Sequence, residues 1–472
     1  MALTICSNRV LLQDHDRLVI KPARIRVEGG LIERVEPLSL TAERSHDAAA
    51  GTLIDLGEHL ITPAFVNAHT HLALAFLRGV QTASVRGNLV EDLYFGYESR
   101  LTSADVRAFS RMGAYESLLS GTGFVWDHYY GGTAVAEALL DTGLGGVVAP
   151  TLQDLAGPDR EGADDALAAT LQIADSEAYR RAGIFAALGP HATDTVSPAL
   201  FRKVAELAET HQLPVHLHLA QSYDELVRVE SREGRSPLAL LAREGVLDRA
   251  PHVVMAHGLF ASNEDLGSLQ PARHTLVYCP SSQMQFAFPA PVAHWSQLGV
   301  SWVVATDCAS SNDSMSLQKE LRLCAGAATF NIGASMAYQS FLQSGDASHA
   351  RETWQERSEA AAAFAKHTTS EQLLARVFQL PGRLHPGVRC GVIERGALAN
   401  LVAWNTEHPA FWPGRDLTRA LAMSDTTPAI HALLVNGRWV GEAGNVAGSV
   451  LASDSYREAR REASERLEAL LR

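Results

Sequence analysis

Two histidine pairs, His69-Thr70-His71 and His216-Leu217-His218, stand where apolar runs end: Phe65 to Ala68 leads into His69, and Val215 to Leu217 into His218. Residues two apart on an extended strand face the same side, so the imidazoles of such a pair can grip one cation together. An H-x-H pair also arises by chance. Of His216 and His218 only one need be a ligand, the other pointing into a barrel or between strand and helix. Two more strand-like runs end on candidate ligands: Val253 to Ala256 leads into His257, and Trp302 to Thr306 into Asp307. Neutral imidazoles and a carboxylate suit one Zn²⁺, and Fe²⁺, Mn²⁺ and Co²⁺ accept the same mixture. If one position stays open to solvent, the cation lowers the pKa of its water by several units and so supplies hydroxide at neutral pH.

Residues so far apart in the chain meet only if the fold gathers strand ends. A (β/α) barrel does this, because the C-terminal ends of all its strands converge on one face. Apolar strand-like runs alternate with helical stretches through the middle of the chain, the pattern of a parallel sheet closed by helices. Ser197-Pro198 marks one helix start: Ser197 can cap, Pro198 suits the first helical position, and Leu200, Val204 and Leu207 recur at helical spacing until His211. Before the first pair, Arg9 to Leu12, Leu18 to Ile20, Arg24 to Glu28 and Leu31 to Val35 read as short strands, with a turn at Gly29-Gly30. The same texture returns in Leu398 to Trp404 and Ala432 to Val440, with a hairpin turn at Asn436-Gly437, so the two ends of the chain are expected to pair. Gly326 to Trp354 lacks a clean period and is expected to be a loop over the barrel mouth or a plain surface excursion. Ser453 to Leu471 reads as an exposed terminal helix.

The bulk composition excludes several classes. With 472 residues, 46% hydrophobic and 20% charged, the chain has material for a large core. Forty Lys and Arg against 53 Asp and Glu leave a net charge of -13, with no basic run to follow a phosphate backbone, so no nucleic-acid partner is expected. No run is long and apolar enough for a bilayer, and Met1 to Gln13 lacks the pattern of a secretory leader, so a cytoplasmic protein without membrane contact is expected. Five scattered cysteines, none in a C-x-x-C pair, read as reduced thiols, and Cys308 beside Asp307 is read as a small buried side chain.

Several ordered marks then point one way: Pro63-Ala64-Phe65-Val66-Asn67-Ala68-His69-Thr70-His71, Gly189-Pro190-His191-Ala192, Val215-His216-Leu217-His218, Met255-Ala256-His257, Cys279-Pro280-Ser281-Ser282, and Thr306-Asp307 with Ser311-Asn312-Asp313. Over nearly its whole length the chain resembles the amidohydrolase superfamily, in particular the aminohydrolase branch of cytosine and guanine deaminases, S-adenosylhomocysteine deaminases and triazine hydrolases, some of them chlorohydrolases. The resemblance implies a distorted TIM (β/α)8 barrel over residues 61–390, with a small β-sandwich from residues 1–60 and 391–445 and a terminal helix over 446–472. It implies His69, His71, His218 and Asp307 as ligands of one divalent ion, zinc first, with Asp307 also taking a proton from the water. His257 is then an orienting group, His191 touches a small-molecule substrate, and a homodimer or higher homo-oligomer is expected.

One position departs from that pattern. Deaminases of the branch carry a glutamate three positions after the strand-end histidine, where it protonates a ring nitrogen; here the residue is Gln221. A carboxamide donates and accepts hydrogen bonds but carries no proton at neutral pH, so the role cannot transfer unchanged. The expected activity is therefore hydrolysis of a C–N or related bond in a small cyclic or aromatic nitrogen compound, with Gln221 orienting the substrate. One alternative is a deaminase that uses another acid, such as Asp224 or Glu225, although both are expected in an exposed helical first turn. Another is an inactive, metal-stabilised binding protein. His128 is a candidate pocket residue, and the aromatics of Glu91-Asp92-Leu93-Tyr94-Phe95 are expected to flank a planar substrate or merely to cover the barrel.

Overall fold

The computed structural model describes residues 2–14, 17–38, 52–80 and 90–472. Eight parallel strands form the barrel in chain order: β1 (Phe65–Thr70), β2 (Thr122–Tyr129), β3 (Gly145–Leu152), β4 in two pieces (Ile184–Ala186 and Gly189–Pro190), β5 (Val215–Leu219), β6 (Val253–His257), β7 (His274–Tyr278) and β8 (Ser301–Val304). Two hydrogen-bonded sheets, β1–β4 and β5–β8, close on each other through single bridges, Leu188 to Val215 and Thr70 to Asp307. The barrel is distorted at those seams, and the second of them joins the two strand ends that carry His69 and Asp307.

Alternation along the strands divides the apolar residues into two cores. Val66, Ala68, Phe124, Trp126, Val147, Ala149, Val254, Val277 and Val303 fill the barrel, with Leu384, Cys390 and Leu398 packed against them. Phe65, Val125, Val148, Leu217 and Met255 face outward, in the large cluster shared with the surrounding helices. The helix Pro198–His211 illustrates the local logic: the Ser197 hydroxyl accepts from the backbone N–H of Leu200, Pro198 opens the helix, and Leu200, Phe201, Val204 and Ala208 are buried.

The terminal segments build the sandwich. Leu3–Asp14 pairs antiparallel with Arg17–Glu28, which pairs with Leu31–Pro37 across the Gly29-Gly30 turn, and Leu60–Pro63 pairs antiparallel with Leu401–Trp404. These strands run longer than the short segments read from the sequence, because register shifts near Ser7 to Val10 and at Arg26/Val27 interrupt the alternation without ending the pairing. Ile5, Ile25, Val27, Ile61, Ala403 and Leu434 make a separate core here. The stretch 39–51 lies outside the described residues.

Gly326 to Trp354 is a surface excursion built largely from helices and does not line the cavity. It contains the helix Met336–Ser344 and the first turns of a second, Ala347–Ala365, packed as a hairpin with Met336, Leu342 and Trp354 exposed. The sparse apolar spacing that hid the period from sequence reflects two helices with little buried surface. The terminal helix Asp454–Leu470 buries Ala459 and Ala463 and lies on the helix Ser103–Leu119. No helix among the described residues is long and apolar enough to cross a membrane. All five cysteines are buried and free.

Candidate functional site

At the C-terminal rim, His69, His71, His218, His257 and Asp307 converge. One potential ligand atom from each of His69, His71 and His218 lies within 4.8 Å of the others, and the same holds for His69, His257 and Asp307. The Nε2 atoms of His69 and His71 lie 3.6 and 3.3 Å from Asp307 Oδ1, and the Nε2 atoms of His218 and His71 are 3.2 Å apart.

The other ring nitrogens are occupied. His71 Nδ1 bonds the carbonyl of His128, His218 Nδ1 lies 3.0 Å from the carbonyl of His191, and His69 Nδ1 lies 2.9 Å from His216 Nε2. Donation of Nδ1–H to a carbonyl leaves the lone pair on Nε2, so the rings of His71 and His218 present acceptors to the centre. The Nε2 of His69 is buried without a hydrogen-bond partner among the described residues. Inward lone pairs beside a carboxylate are a donor set that a borderline divalent cation satisfies, so these residues fit such an ion. Burial lowers the pKa of His69 and of His218. For Asp307 burial acts upward, but the closeness of the His69 and His71 imidazoles outweighs it and holds the carboxyl well below its ordinary range.

Local backbone geometry aims these groups. His69 and His71 do not share a simple strand face: the register of β1 shifts between Asn67 and Thr70, and His71 follows the last strand residue, so their rings meet edge-on at 86°. On β5 the spacing argument holds. His216 and His218 both face the barrel, His216 deeper and beside Trp126 and His69, His218 at the rim, while Val215, Leu217 and Leu219 join the outer cluster. His257 and Asp307 have φ of 77° and 60°, a sparsely populated region for such residues and one that collects at functional sites. Ser282 donates to Asp307 Oδ2 at 2.6 Å, and the side-chain amide of Gln283 lies 3.4 Å from His257 Nδ1.

The cluster forms the floor of a cavity of about 300 Å³. His128, His191 and Gln221 line it, as does Tyr94 from the segment expected to flank a substrate; Phe95 instead approaches His191, with ring centres 6.0 Å apart. His128 Nε2 is buried and has no hydrogen-bond partner among the described residues, whereas His191 Nδ1 lies 2.9 Å from the Thr195 hydroxyl. Asp224 is half-buried and lines the cavity. Glu225 does not reach it and is not exposed as expected. It is buried, accepts from the backbone N–H of Gln221 and from Thr193, and burial raises its carboxyl to about 7.

The sequence analysis missed Glu98, Tyr129, Tyr130, Phe286 and Phe288, which also line the cavity. Glu98 lies in the short helix Phe95–Glu98, beside His71 and the Tyr129 hydroxyl, and burial pushes its carboxyl up to about 7. Tyr129 and Tyr130 directly follow His128 at the end of a strand, so their position at the rim was a readable signal. Nothing in the sequence marks Glu98.

Residues 60–343 match the amidohydrolase family. A 5-methylthioadenosine/S-adenosylhomocysteine deaminase from Pyrococcus furiosus is 27% identical over 433 residues, 90% of this chain and 92% of the relative. Among solved structures, an adenosine deaminase from Xanthomonas campestris with bound zinc superposes with a TM-score of 0.76 at 21% identity, covering 99% of this chain and 98% of that one. Atrazine chlorohydrolase from Arthrobacter aurescens, complexed with zinc, gives 0.76 at 20% identity over 100% of both chains. At such identities the two structures establish the shared fold.

Proposed function

This chain belongs to the amidohydrolase family and is a metal-dependent hydrolase of carbon–nitrogen bonds, and from that premise we propose that its substrate is a small cyclic or aromatic nitrogen compound. One divalent ion, zinc first, would be held by His69, His71, His218 and Asp307. The observation that carries the reading is the set of inward imidazole nitrogens and the Asp307 carboxylate on the floor of an aromatic-lined cavity. When bound, the ion supplies Lewis acidity and a water acidic enough to act at neutral pH.

The chain's own groups handle orientation and protons. Asp307, fixed by Ser282, takes the proton released by the attacking water. His257, neutral because burial lowers its pKa to about 3, holds a hydrogen bond to the water or to the developing oxyanion. His128 Nε2, His191 and Gln221 orient the substrate from the cavity wall. Gln221 shuttles no proton, which favours a substrate whose carbonyl, or whose ring carbon bearing a good leaving group, reacts without ring protonation.

Deamination of an N-heterocycle is the second reading, favoured by the deaminase relatives. It needs another acid. Glu225 is turned away from the cavity, which leaves Glu98 and Asp224, among the described residues, as the carboxyl groups in its wall besides Asp307.

The test is turnover by zinc-reconstituted protein across aminated heterocycles, cyclic amides, ureas and carbamates, with Asp307→Asn and Gln221→Glu variants beside it. The expected result is zinc-dependent hydrolysis of at least one compound, reduced by roughly 10²–10⁴-fold in Asp307→Asn. A large gain of ammonia release in Gln221→Glu supports hydrolysis without ring protonation as the native chemistry. Equal deamination by the wild type and that variant favours the second reading, and no zinc-dependent turnover on any compound defeats both.

A further inference from the structure

The helix Pro280–Phe286 offers successive side chains to two groups at the rim. Ser282 donates to Asp307 Oδ2 at 2.6 Å, and the Gln283 amide lies 3.4 Å from His257 Nδ1. An amide N–H donated to Nδ1 keeps the ring proton on Nε2, the tautomer that can donate from its other side. The aim of both groups therefore depends on where this one short helix sits.

The helix's own sequence holds its start weakly. Cys279 precedes the first turn and makes no side-chain cap, and Pro280 brings no N–H, so Ser281 carries the first backbone donor inside the helix. That donor meets a carboxylate from another helix: Glu320 Oε2 accepts from the Ser281 N–H at 2.8 Å. A carboxylate there also faces the positive end of the peptide dipoles. Glu320 is 0% exposed and stands behind the helix, outside the cavity lining.

The helix that delivers Glu320, Leu317–Gly326, is itself fixed from two sides. The side-chain amide of Gln318 donates to the Leu421 carbonyl at 2.6 Å and to the Thr426 hydroxyl at 2.7 Å, and it accepts from the Thr426 backbone N–H. Lys319 donates to the carbonyl of Asn312, in the loop that follows Asp307. Three successive residues thus tie one helix to three other parts of the chain, and the last of them sets the start of the helix behind Asp307 and His257.

We propose that Glu320 is a positioning residue of this site: by holding the Ser281 amide it fixes the helix that aims Asp307 through Ser282 and His257 through Gln283. The proposal deepens the hydrolase reading and rests on it for the roles of Asp307 and His257. Glu320 touches neither substrate nor metal ligand, and its reach matters more than its charge.

The test compares Glu320→Gln, Glu320→Asp and Glu320→Met in full-length protein. Gln keeps the reach and an acceptor oxygen without the charge, Asp keeps the charge but falls short by a methylene, and Met keeps the bulk with no such acceptor. Two readouts need no substrate. In zinc-loaded protein, amide exchange over 280–286 is expected to quicken about tenfold or more in the Asp and Met variants and to stay within about threefold of the wild type in Gln. With cobalt in place of zinc, the visible absorption bands should change in the Asp and Met variants and persist in Gln, because Asp307 is then a ligand whose orientation they report.

On any compound of the heterocycle, amide, urea and carbamate panel that is turned over, kcat is expected to fall about tenfold or more in Asp and Met, with a smaller change in KM, and far less in Gln. In a Ser282→Ala background the Met substitution should cost several-fold less in kcat than in the wild type. A normal Asp variant beside an impaired Gln variant would make charge the agent and overturn the proposal. Faster exchange with unchanged cobalt bands and unchanged kcat would overturn it too, by leaving Glu320 a brace of the fold alone. If the Met variant does not fold, the contrast between Asp and Gln decides. Absence of turnover across the panel counts against the hydrolase reading alone, since exchange and the cobalt bands still decide whether Glu320 sets the helix and Asp307.

Discussion

The Glu225 carboxylate accepts a hydrogen bond from the backbone N–H of Gln221 at 2.8 Å, and its other oxygen accepts from the hydroxyl of Thr193. One buried carboxyl group therefore ties the loop after β5, which carries Gln221, to the loop after β4, which carries His191. An acid four residues beyond the position of the missing glutamate braces the wall of the cavity instead of lining it.

Glu225→Ala is expected to destabilise the fold by about 1–3 kcal/mol, because it leaves buried donors of Gln221 and Thr193 without an acceptor. Urea denaturation of the zinc-loaded protein measures this. Unchanged stability would show that the brace is dispensable.

His216 is expected to act on the metal centre through His69, whose Nδ1 lies 2.9 Å from its Nε2. His216→Phe should weaken zinc binding by roughly 10–100-fold while leaving the cavity lining intact. Competition with a chromophoric chelator reads the affinity directly. In the wild type, removal of zinc by a strong chelator should abolish turnover, and zinc should restore it.

Two histidines remote from the cavity should set part of the acid sensitivity. Burial lowers His252 and His385 to about 4, below the ordinary value of 6.5. The native state thus holds both neutral, and the unfolded chain binds their protons first as pH falls. Their contribution is complete above pH 6.5 and is lost between 6.5 and about 4, by up to roughly 3 kcal/mol each. Urea midpoints over that range should fall less steeply in His252→Gln and His385→Gln than in the wild type. Parallel curves would refute the assignment.

Gln283 lies 3.4 Å from His257 Nδ1 and fixes the orientation of that ring at the rim. Gln283→Leu should lower kcat by about tenfold or more with a smaller change in KM, since it disturbs a hydrogen-bonding group without removing a cavity wall. A change confined to KM would instead place Gln283 in substrate binding.

Much of the candidate site was legible because barrel strands end in the residues that converge at the rim. His69, His218, His257 and Asp307 each follow an apolar run, and a run of that kind has one rim to reach. The same rule carried His128, whereas His191 came from the family resemblance. It failed for Glu225, where helical position alone suggested exposure; burial there depends on Thr193, contributed by another loop. It failed also for Gly326 to Trp354, whose two helices leave large apolar residues in solvent and so blur the period.

From sequence alone came the metal-binding residue types, their order along the strands, the barrel they imply, and the absence of a protonatable group at Gln221. Those properties are local: they follow from side-chain chemistry and from alternation along a strand. Only the tertiary structure decided that Glu98 faces the cavity, that Glu225 turns away from it, and that His216 supports His69 from behind. Each of those facts is a meeting of segments distant in the chain, set by how strands and loops pack around the barrel axis, and no spacing within one segment encodes it.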